Sequence, residues 1–367
     1  MKIGIITFQR AYSYGAKLQA YALSQYLCSI GYDAEVIDYS DIGWSNVPGI
    51  NFKSIKNFIT SSISFLNSFR REKVRRSKFD SFFLQKIPHS STRYPDADSL
   101  NGIENRYDMF IAGSDQVWCP KYNQGDMNFL LAFVKDNRKK FSYAASFGVS
   151  KIEDKYRESY KKNLTSFNRI MVRETEGAEI VKSLTGRSSD VVLDPTFLLP
   201  LDEWNKIACY PFKIEFNYIL CFKILSVSSM YQKLIAHLKK VTGYAIVVLD
   251  SAYRYKPIKG RLYAKAGPEE FLGLIKAAKI VVTNSFHATA FSIIYKKDFY
   301  TVMNDNDLNS RMMDLTAKLN LSGRIISSNS EFPRLEDIKI DYNPATEKLF
   351  AEINKSKELL DEILKQQ

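Results

Sequence analysis

A chain of 367 residues, 45% hydrophobic and 25% charged, is long enough for two ordinary domains and has the composition of a globular protein. Its 52 Lys+Arg against 40 Asp+Glu give a net charge of +12, which favours anionic partners such as phosphates, acidic glycans or an anionic membrane face. Four scattered cysteines (Cys28, Cys119, Cys209, Cys221) form no CxxC and no Cys/His metal spacing, which excludes a disulfide scaffold and a zinc module and fits a reducing compartment.

The first residues, MKIGIITFQRAYSYG, read as a strand over 3–8 and a loop with Ser13, Tyr14 and Gly15, not as a signal peptide. No stretch approaches the roughly 18 apolar residues of a membrane-spanning helix. Leu18, Ala22, Leu23, Tyr26, Leu27 and Ile30 recur at three- and four-residue steps, so a helix is expected up to a stop at Gly31. A strand over 34–38 completes a βαβ opening of Rossmann type, without the GxGxxG of dinucleotide binding.

Residues 41–105 interrupt this rhythm and read as a basic helical insertion. Between Lys53 and Lys78 stand eight basic residues and one acid, Glu72, beside apolar Ile55, Phe58, Ile59, Ile63, Phe65, Leu66 and Phe69. This run is either a peripheral contact with an anionic membrane or a solvated helical face with a linker. No nucleic-acid-binding signature accompanies it, and no nucleic acid is expected as a partner.

The α/β pattern resumes with a buried strand over 109–112 that ends in Ser114, Asp115 and Gln116. Polar residues at a strand's carboxyl end make a site loop, where Asp115 is a base, a sugar-hydroxyl acceptor or a turn residue. Further strands are expected at 141–145, 170–172 and 191–193, with a helix over 152–167. The strand at 170–172 delivers Arg173, which either faces a cleft or pairs with Glu174 or Glu176. Asp194-Pro195-Thr196 reads as a turn. After Pro200 the pattern repeats: strands at 217–222, 245–249, 280–283 and 299–302, and helices at 229–241, 268–278, 309–320 and 344–365. In the stretch KIVVTNSFHATAFSIIYKKDF, Asn284 or Ser285 caps a helix whose second residue is His287. That histidine stands beside an anion-friendly helix start, or it merely caps and packs.

Several long motifs in order carry a resemblance: YGAKLQAYALSQYL (14–27), YDMFIAGSDQVW (107–118), SYAASFG (142–148), VRE (172–174), LDPTFLL (193–199), GPEEFLGLIKAA (267–278), NSFHATAFSIIYKKDF (284–299) and the surroundings of Arg311. The chain resembles the polysaccharide pyruvyl transferase family. The resemblance implies an α/β fold of two Rossmann-like domains facing across a cleft, like GT-B glycosyltransferases. The domains would be 1–200 on the acceptor side and 201–343 on the donor side, with a helix over 344–367 packing back on the first. It implies transfer of pyruvate from phosphoenolpyruvate to a sugar as a ketal, with no cofactor and no metal. The acceptor would be a cell-surface polysaccharide or a lipid-pyrophosphate-linked precursor, reached from the cytoplasm or the inner membrane face.

The histidine of the family motif falls on His287 and the arginine of its Arg-Asp/Glu motif on Arg173. The downstream cation is Lys296, Lys297 or Arg311. An Arg-Leu version of the histidine motif is absent, and Ser285 cannot replace that charge. The expected site is therefore His287 and Asp115 for catalysis. Arg173, Lys296, Lys297, Arg311, Asn284, Ser285, Ser114, Gln116, Tyr14 and Gly15 are expected around the substrates. These types suit the chemistry: a small polyanion needs fixed cations and oriented N–H donors, and proton transfer needs a group such as histidine. The competing functions are a nucleotide-sugar glycosyltransferase on the same architecture and a non-catalytic glycan- or membrane-binding member.

Overall fold

The computed structural model describes residues 1–39, 58–224, 229–249, 260–303 and 309–365, with side chains from 70 onward in the helix that begins at Phe58. The first half contains β1 (Lys2–Ile6), α1 (Tyr14–Ser29), β2 (Asp33–Tyr39), α2 (Phe58–Lys86), β3 (His89–Tyr94), β4 (Met109–Ala112), α3 (Pro120–Asn123), β5 (Lys140–Ser142), α4 (Asp154–Thr165), β6 (Met171–Val172), α5 (Thr175–Thr185) and β7 (Asp190–Val191). The second half contains α6 (Leu201–Ile207), β8 (Tyr218–Phe222), α7 (Ser229–Thr242), β9 (Ala245–Leu249), β10 (Arg261–Leu262), α8 (Pro268–Ala277), β11 (Ile280–Thr283), α9 (Phe286–Ile294), β12 (Asp298–Val302), α10 (Ser310–Lys318), β13 (Ile325–Ile326) and α11 (Asn343–Leu364).

The strands form two main parallel sheets, ordered β3-β2-β1-β4-β5 and β10-β9-β8-β11-β12-β13. Isolated bridges from Phe141 and Ala145 to Arg169 and Val172 extend the first sheet toward the β6-β7 pair. Central strands such as MFIA and YILCF are buried at every position, as sheets covered by helices on both faces require. α1 ends where the periodicity predicts: Gly31 takes φ +95°, and its N–H and that of Tyr32 close the helix on Cys28 and Leu27 carbonyls.

The inner faces of the two halves share one apolar cluster, running from Ile3 and Leu18 through Trp204 to Phe271 and Phe291. α11 adds Leu360, Ile363 and Leu364 to it. That helix also reaches the first half through Ser356, which accepts from Leu193 N–H at 3.0 Å, and Glu362, 2.6 Å from Arg169.

Of the segment expected as an insertion, 41–105, residues 41–57 lie outside the described residues, and the rest contributes an edge strand to the sheet. α2 and β3 make a long β2–α2–β3 crossover, with β3 parallel to β2 at the sheet edge. Its sequence, HSSTRY, keeps three central positions exposed, so it lacks the apolar run that marks the buried strands. Part of the basic run also turns inward. Arg75 is 5% exposed, donates to the Tyr12 carbonyl at 2.6 Å and lies 4.7 Å from the Phe79 ring centroid. Lys78 is ion-paired with Glu270 and Lys86 lies 3.8 Å from Glu269, both acids in the first turn of α8. The carboxyl-terminal part of α2 thus clamps the two halves; Arg70 and Lys73 remain exposed, and Lys53 and Lys56 lie outside the described residues. Among the described residues no helix is long and apolar enough to cross a membrane.

Candidate active site

β11 is buried throughout, and the chain turns at Asn284 and Ser285 into α9. Ser285 caps the helix, its hydroxyl accepting from Ala288 N–H at 3.4 Å. Asn284 spans the turn to β8, accepting from Ile224 N–H at 2.7 Å and donating to the Ile224 carbonyl at 2.9 Å. Both therefore build the loop that presents His287. The imidazole is 7% exposed. Its Nε2 lies 3.5 Å from Asp194 Oδ2 but makes no hydrogen bond among the described residues.

The opposite wall comes from the first half. Arg173 follows β6, is 5% exposed, and stacks 4.4 Å from the Phe286 ring centroid. Its Nη1 donates to Asp194 Oδ2 at 2.8 Å. Its Nη2 is 3.7 Å from Asp115 and its Nε 3.9 Å from Glu174, and neither nitrogen has a hydrogen-bond partner among the described residues. Burial works against the Arg173 charge, yet Asp194, Asp115 and Glu174 outweigh it and hold the guanidinium firmly protonated.

Asp194 is the hub. Its Oδ2 also accepts from Ser114 Oγ at 3.0 Å, and its Oδ1 accepts from Thr196 N–H at 3.0 Å and Thr196 Oγ1 at 2.8 Å. Burial disfavours its charge, but His287, Arg173 and the Thr196 N–H prevail and hold the carboxyl well below the usual range. Glu174 behaves differently. Its Oε1 accepts from Ser146 Oγ at 2.8 Å and Phe147 N–H at 3.2 Å, while its Oε2 is buried without a partner among the described residues. Burial pushes its pKa up despite Arg173 and Arg311.

Arg311 crosses from the second half on α10. Its Nε is buried and without a hydrogen-bond partner among the described residues. Burial, then the Arg173 charge, lowers its pKa; Glu174, Asp115 and Tyr122 act the other way. α10 is docked by Asp314, which accepts from Thr175 N–H at 2.7 Å at the start of α5. Lys296 and Lys297 do not join this group. They sit past the carboxyl end of α9, before β12, at the amino-terminal end of the strands, whereas His287 follows the carboxyl end of β11. Of the three downstream cations read from the sequence, Arg311 is the one that lies near Arg173, Glu174 and Asp115.

Of the other expected site residues, Ser114, Gln116 and Tyr14 make packing and hydrogen-bond contacts within the fold. Ser114 is fully buried and holds Asp194, and Asp115 takes a left-handed φ of 73° at the strand end, its side chain toward Arg173. Gln116 packs on Gly148, its amide nitrogen buried and without a partner among the described residues. The Tyr14 ring stacks on Phe271 at 4.6 Å and its hydroxyl donates to the Ala266 carbonyl at 2.9 Å, so this tyrosine joins the halves. Burial raises its pKa to about 12.

Gly15 is where α1 touches the histidine. A Cβ there would lie 1.9 Å from His287 Nδ1. The starts of α1 and α9 therefore meet at the imidazole, and the first-turn N–H groups of both lack intrahelical acceptors. Gly15→Ala must displace the ring or the helix. The expected result is about 10²-fold lower kcat/KM, by misplacement, and a stability loss of about 1–3 kcal/mol, by overpacking. Steady-state kinetics with thermal denaturation check both; an unchanged kcat/KM would show that the ring position is unimportant.

Asp194 and Glu174 were not among the site residues expected from sequence, although both stand inside the motifs LDPTFLL and VRE.

A family model described as polysaccharide pyruvyl transferase matches residues 14–306. No curated protein matches the chain. Among solved structures the chain is similar to UDP-N-acetylglucosamine 2-epimerase from Rickettsia bellii, at 10% identity and a TM-score of 0.53, covering 100% of this chain and 96% of that one. It is also similar to UDP-GlcNAc 2-epimerase from Methanocaldococcus jannaschii in complex with UDP-GlcNAc and UDP, at 13% identity and a TM-score of 0.50, covering 100% of both chains. At such identities the likeness concerns the fold, which is two-domain and GT-B-like.

Proposed function

The chain belongs to the polysaccharide pyruvyl transferase family, and on that premise we propose that it moves pyruvate from phosphoenolpyruvate onto two hydroxyls of a sugar in a cell-surface polysaccharide or its precursor. The observation that carries the donor is the cradle beside His287: Arg173 and Arg311, from opposite halves, keep buried N–H groups without partners among the described residues. Buried N–H groups left without acceptors are costly, and a small polyanion of carboxylate and phosphate satisfies them. The helix starts of α1 and α9 add oriented N–H donors.

The balance of the reaction defines the proton work. Two sugar oxygens form bonds to C2 of the donor, and the bond from C2 to the phosphate oxygen breaks. One hydroxyl proton ends on C3, which becomes a methyl group, and the other leaves with phosphate. His287 takes and returns these protons, with Asp194 setting its orientation. Asp115, at the mouth of the site and 15% exposed in its side chain, is the second group placed to assist an acceptor hydroxyl. No cofactor or metal is needed in this reading.

The test is phosphate release from phosphoenolpyruvate with galactose-, mannose- and glucose-type acceptors. If a sugar nucleotide but not phosphoenolpyruvate raises the melting temperature, the donor assignment falls and glycosyl transfer replaces it. Arg311→Gln, which leaves the Arg173–Asp194 pair intact, is expected to weaken phosphoenolpyruvate binding by about 1.5–3 kcal/mol, the value of a charge-assisted bond. Thermal shifts against donor concentration measure it, and unchanged affinity would remove Arg311 from the cradle.

A further inference from the structure

Glu174 stands at the cap position of α5, yet its side chain makes no cap bond to its own helix. It turns instead to the loop after β5, where Oε1 accepts from Ser146 Oγ and Phe147 N–H. The other oxygen, Oε2, is buried and without a hydrogen-bond partner among the described residues. It lies 3.9 Å from Arg173 Nε, which is also buried and without a partner among them. A donor and an acceptor thus lie side by side across a gap too wide for a hydrogen bond.

The charges around this carboxyl do not balance. Arg173 is its chain neighbour, and Arg311 reaches it from α10. Asp194 and Asp115 lie 2.8 and 3.7 Å from the same Arg173 guanidinium. Two guanidinium groups therefore stand among three carboxylates. His287 lies on the far side of Asp194, and Asp314 of α10 is bound to the Thr175 N–H. Burial works against the Asp194 charge, but His287, Arg173 and the Thr196 N–H keep it ionised. Asp115 has the most exposed side chain of the three, 15% against 2% for Glu174 and 0% for Asp194. At Glu174, burial outweighs both arginines and pushes the carboxyl pKa up. A polyanion entering here adds negative charge beside a buried carboxyl that has one oxygen open.

We propose that Glu174 binds the anionic donor in its neutral form: Oε2–H donates to a donor oxygen that Arg173 Nε–H also reaches, so that one proton enters the site with each donor molecule. An oxygen about 2.7 Å from each atom bridges the 3.9 Å gap. As a carboxylate, Oε2 would meet that oxygen as a like charge. As an acid, it supplies a short O–H···O⁻ bond of the strong, charge-assisted kind. The proton comes from solvent and stays on Oε2 until the anion leaves, so it is separate from the two hydroxyl protons that His287 handles. The identity of the anion rests on the pyruvyl-transfer reading; the protonation of Glu174 does not.

Calorimetric titration of the whole protein with phosphoenolpyruvate, in two buffers of different ionisation enthalpy, counts the protons. It is run at about pH 8, above the second phosphate pKa of about 6, so that the donor arrives fully ionised. Wild type is expected to take up a proton. Glu174→Gln, whose amide donates without titrating, is expected to take up none. Wild-type affinity should fall by up to about tenfold per pH unit over the range where the complex holds the proton and the free protein does not. That slope should vanish in Glu174→Gln. Binding without uptake, or with equal uptake in both proteins, overturns the inference and leaves the donor assignment standing. Difference infrared spectroscopy of wild type needs no variant: a protonated-carboxyl C=O band should appear on binding, and its absence also overturns the inference. If phosphoenolpyruvate does not bind but inorganic sulfate does, with an uptake that Glu174→Gln lacks, the donor assignment falls and the neutral Glu174 remains. Binding of neither anion removes both.

Discussion

His287→Ala is expected to lower kcat by roughly 10²–10⁴-fold while leaving the affinity for phosphoenolpyruvate close to that of the wild type. The reason is a division of labour visible in the site. Beside the histidine, Arg173 and Arg311 have buried N–H groups without partners among the described residues, and they hold charge that is present in ground state and transition state alike. His287 carries no such duty. Its Nε2, buried and without a hydrogen bond among the described residues, faces the carboxylate of Asp194 at 3.5 Å, and Gly15 leaves no room for it to retreat on the Nδ1 side. A group fixed in this way acts on protons in flight. Alanine also opens space beside Gly15 without stranding a charge, so the fold should survive. Single-turnover phosphate release and donor binding, measured on the same preparation, separate the two effects. A folded His287→Ala protein with near-normal turnover would reduce the histidine to a packing residue and end the proton-transfer assignment.

The first layer of this architecture was legible because buried parallel strands and amphipathic helices write themselves in hydrophobic period. The strands at Met109–Ala112, Ala245–Leu249 and Ile280–Thr283 fall where the apolar runs stand, as does the cap at Ser285. β3 was not legible, since an edge strand with exposed centre has the composition of a loop. The site was legible only as a set of candidates. Local reading put Lys296 and Lys297 beside His287 in sequence, but a helix of nine residues, Phe286–Ile294, separates them in space. Arg311 is 24 positions away and arrives on another helix, because Asp314 docks α10 on the start of α5. Such pairings between halves leave no periodic trace. Asp194 read as a turn residue for the same reason: its Asp-Pro-Thr turn is real, with the side chain accepting from Thr196, but the second oxygen serves partners 21 and 80 residues away.

That double role makes Asp194 the position where one atom's change should cost most in stability. From sequence alone, Arg173 either faces a cleft or pairs with Glu174 or Glu176, and its tie to Asp194 is not legible. The structure gives that arginine a buried ion pair, so truncating either partner strands the other. Asp194→Asn keeps the shape but removes the charge that Arg173, Ser114 and Thr196 all address. The remaining carboxylates lie 3.7 and 3.9 Å from the guanidinium and do not replace a 2.8 Å bond. Breaking a buried pair in this way is expected to cost about 3–5 kcal/mol at neutral pH. The pH dependence gives a second signature. Because the folded carboxyl sits below its ordinary value, its contribution is complete above the unfolded pKa of about 3.9 and is lost as pH falls through the lower folded value. The amide of the Asp194→Asn protein does not titrate there, so the gap between wild type and this variant should narrow as the pH drops below about 4. Urea denaturation of both proteins at neutral and acidic pH reads the gap directly. A gap that stays constant across that range, or is absent at neutral pH, would show that Arg173 and His287 are balanced by other groups and that the carboxylate of Asp194 does not organise the site.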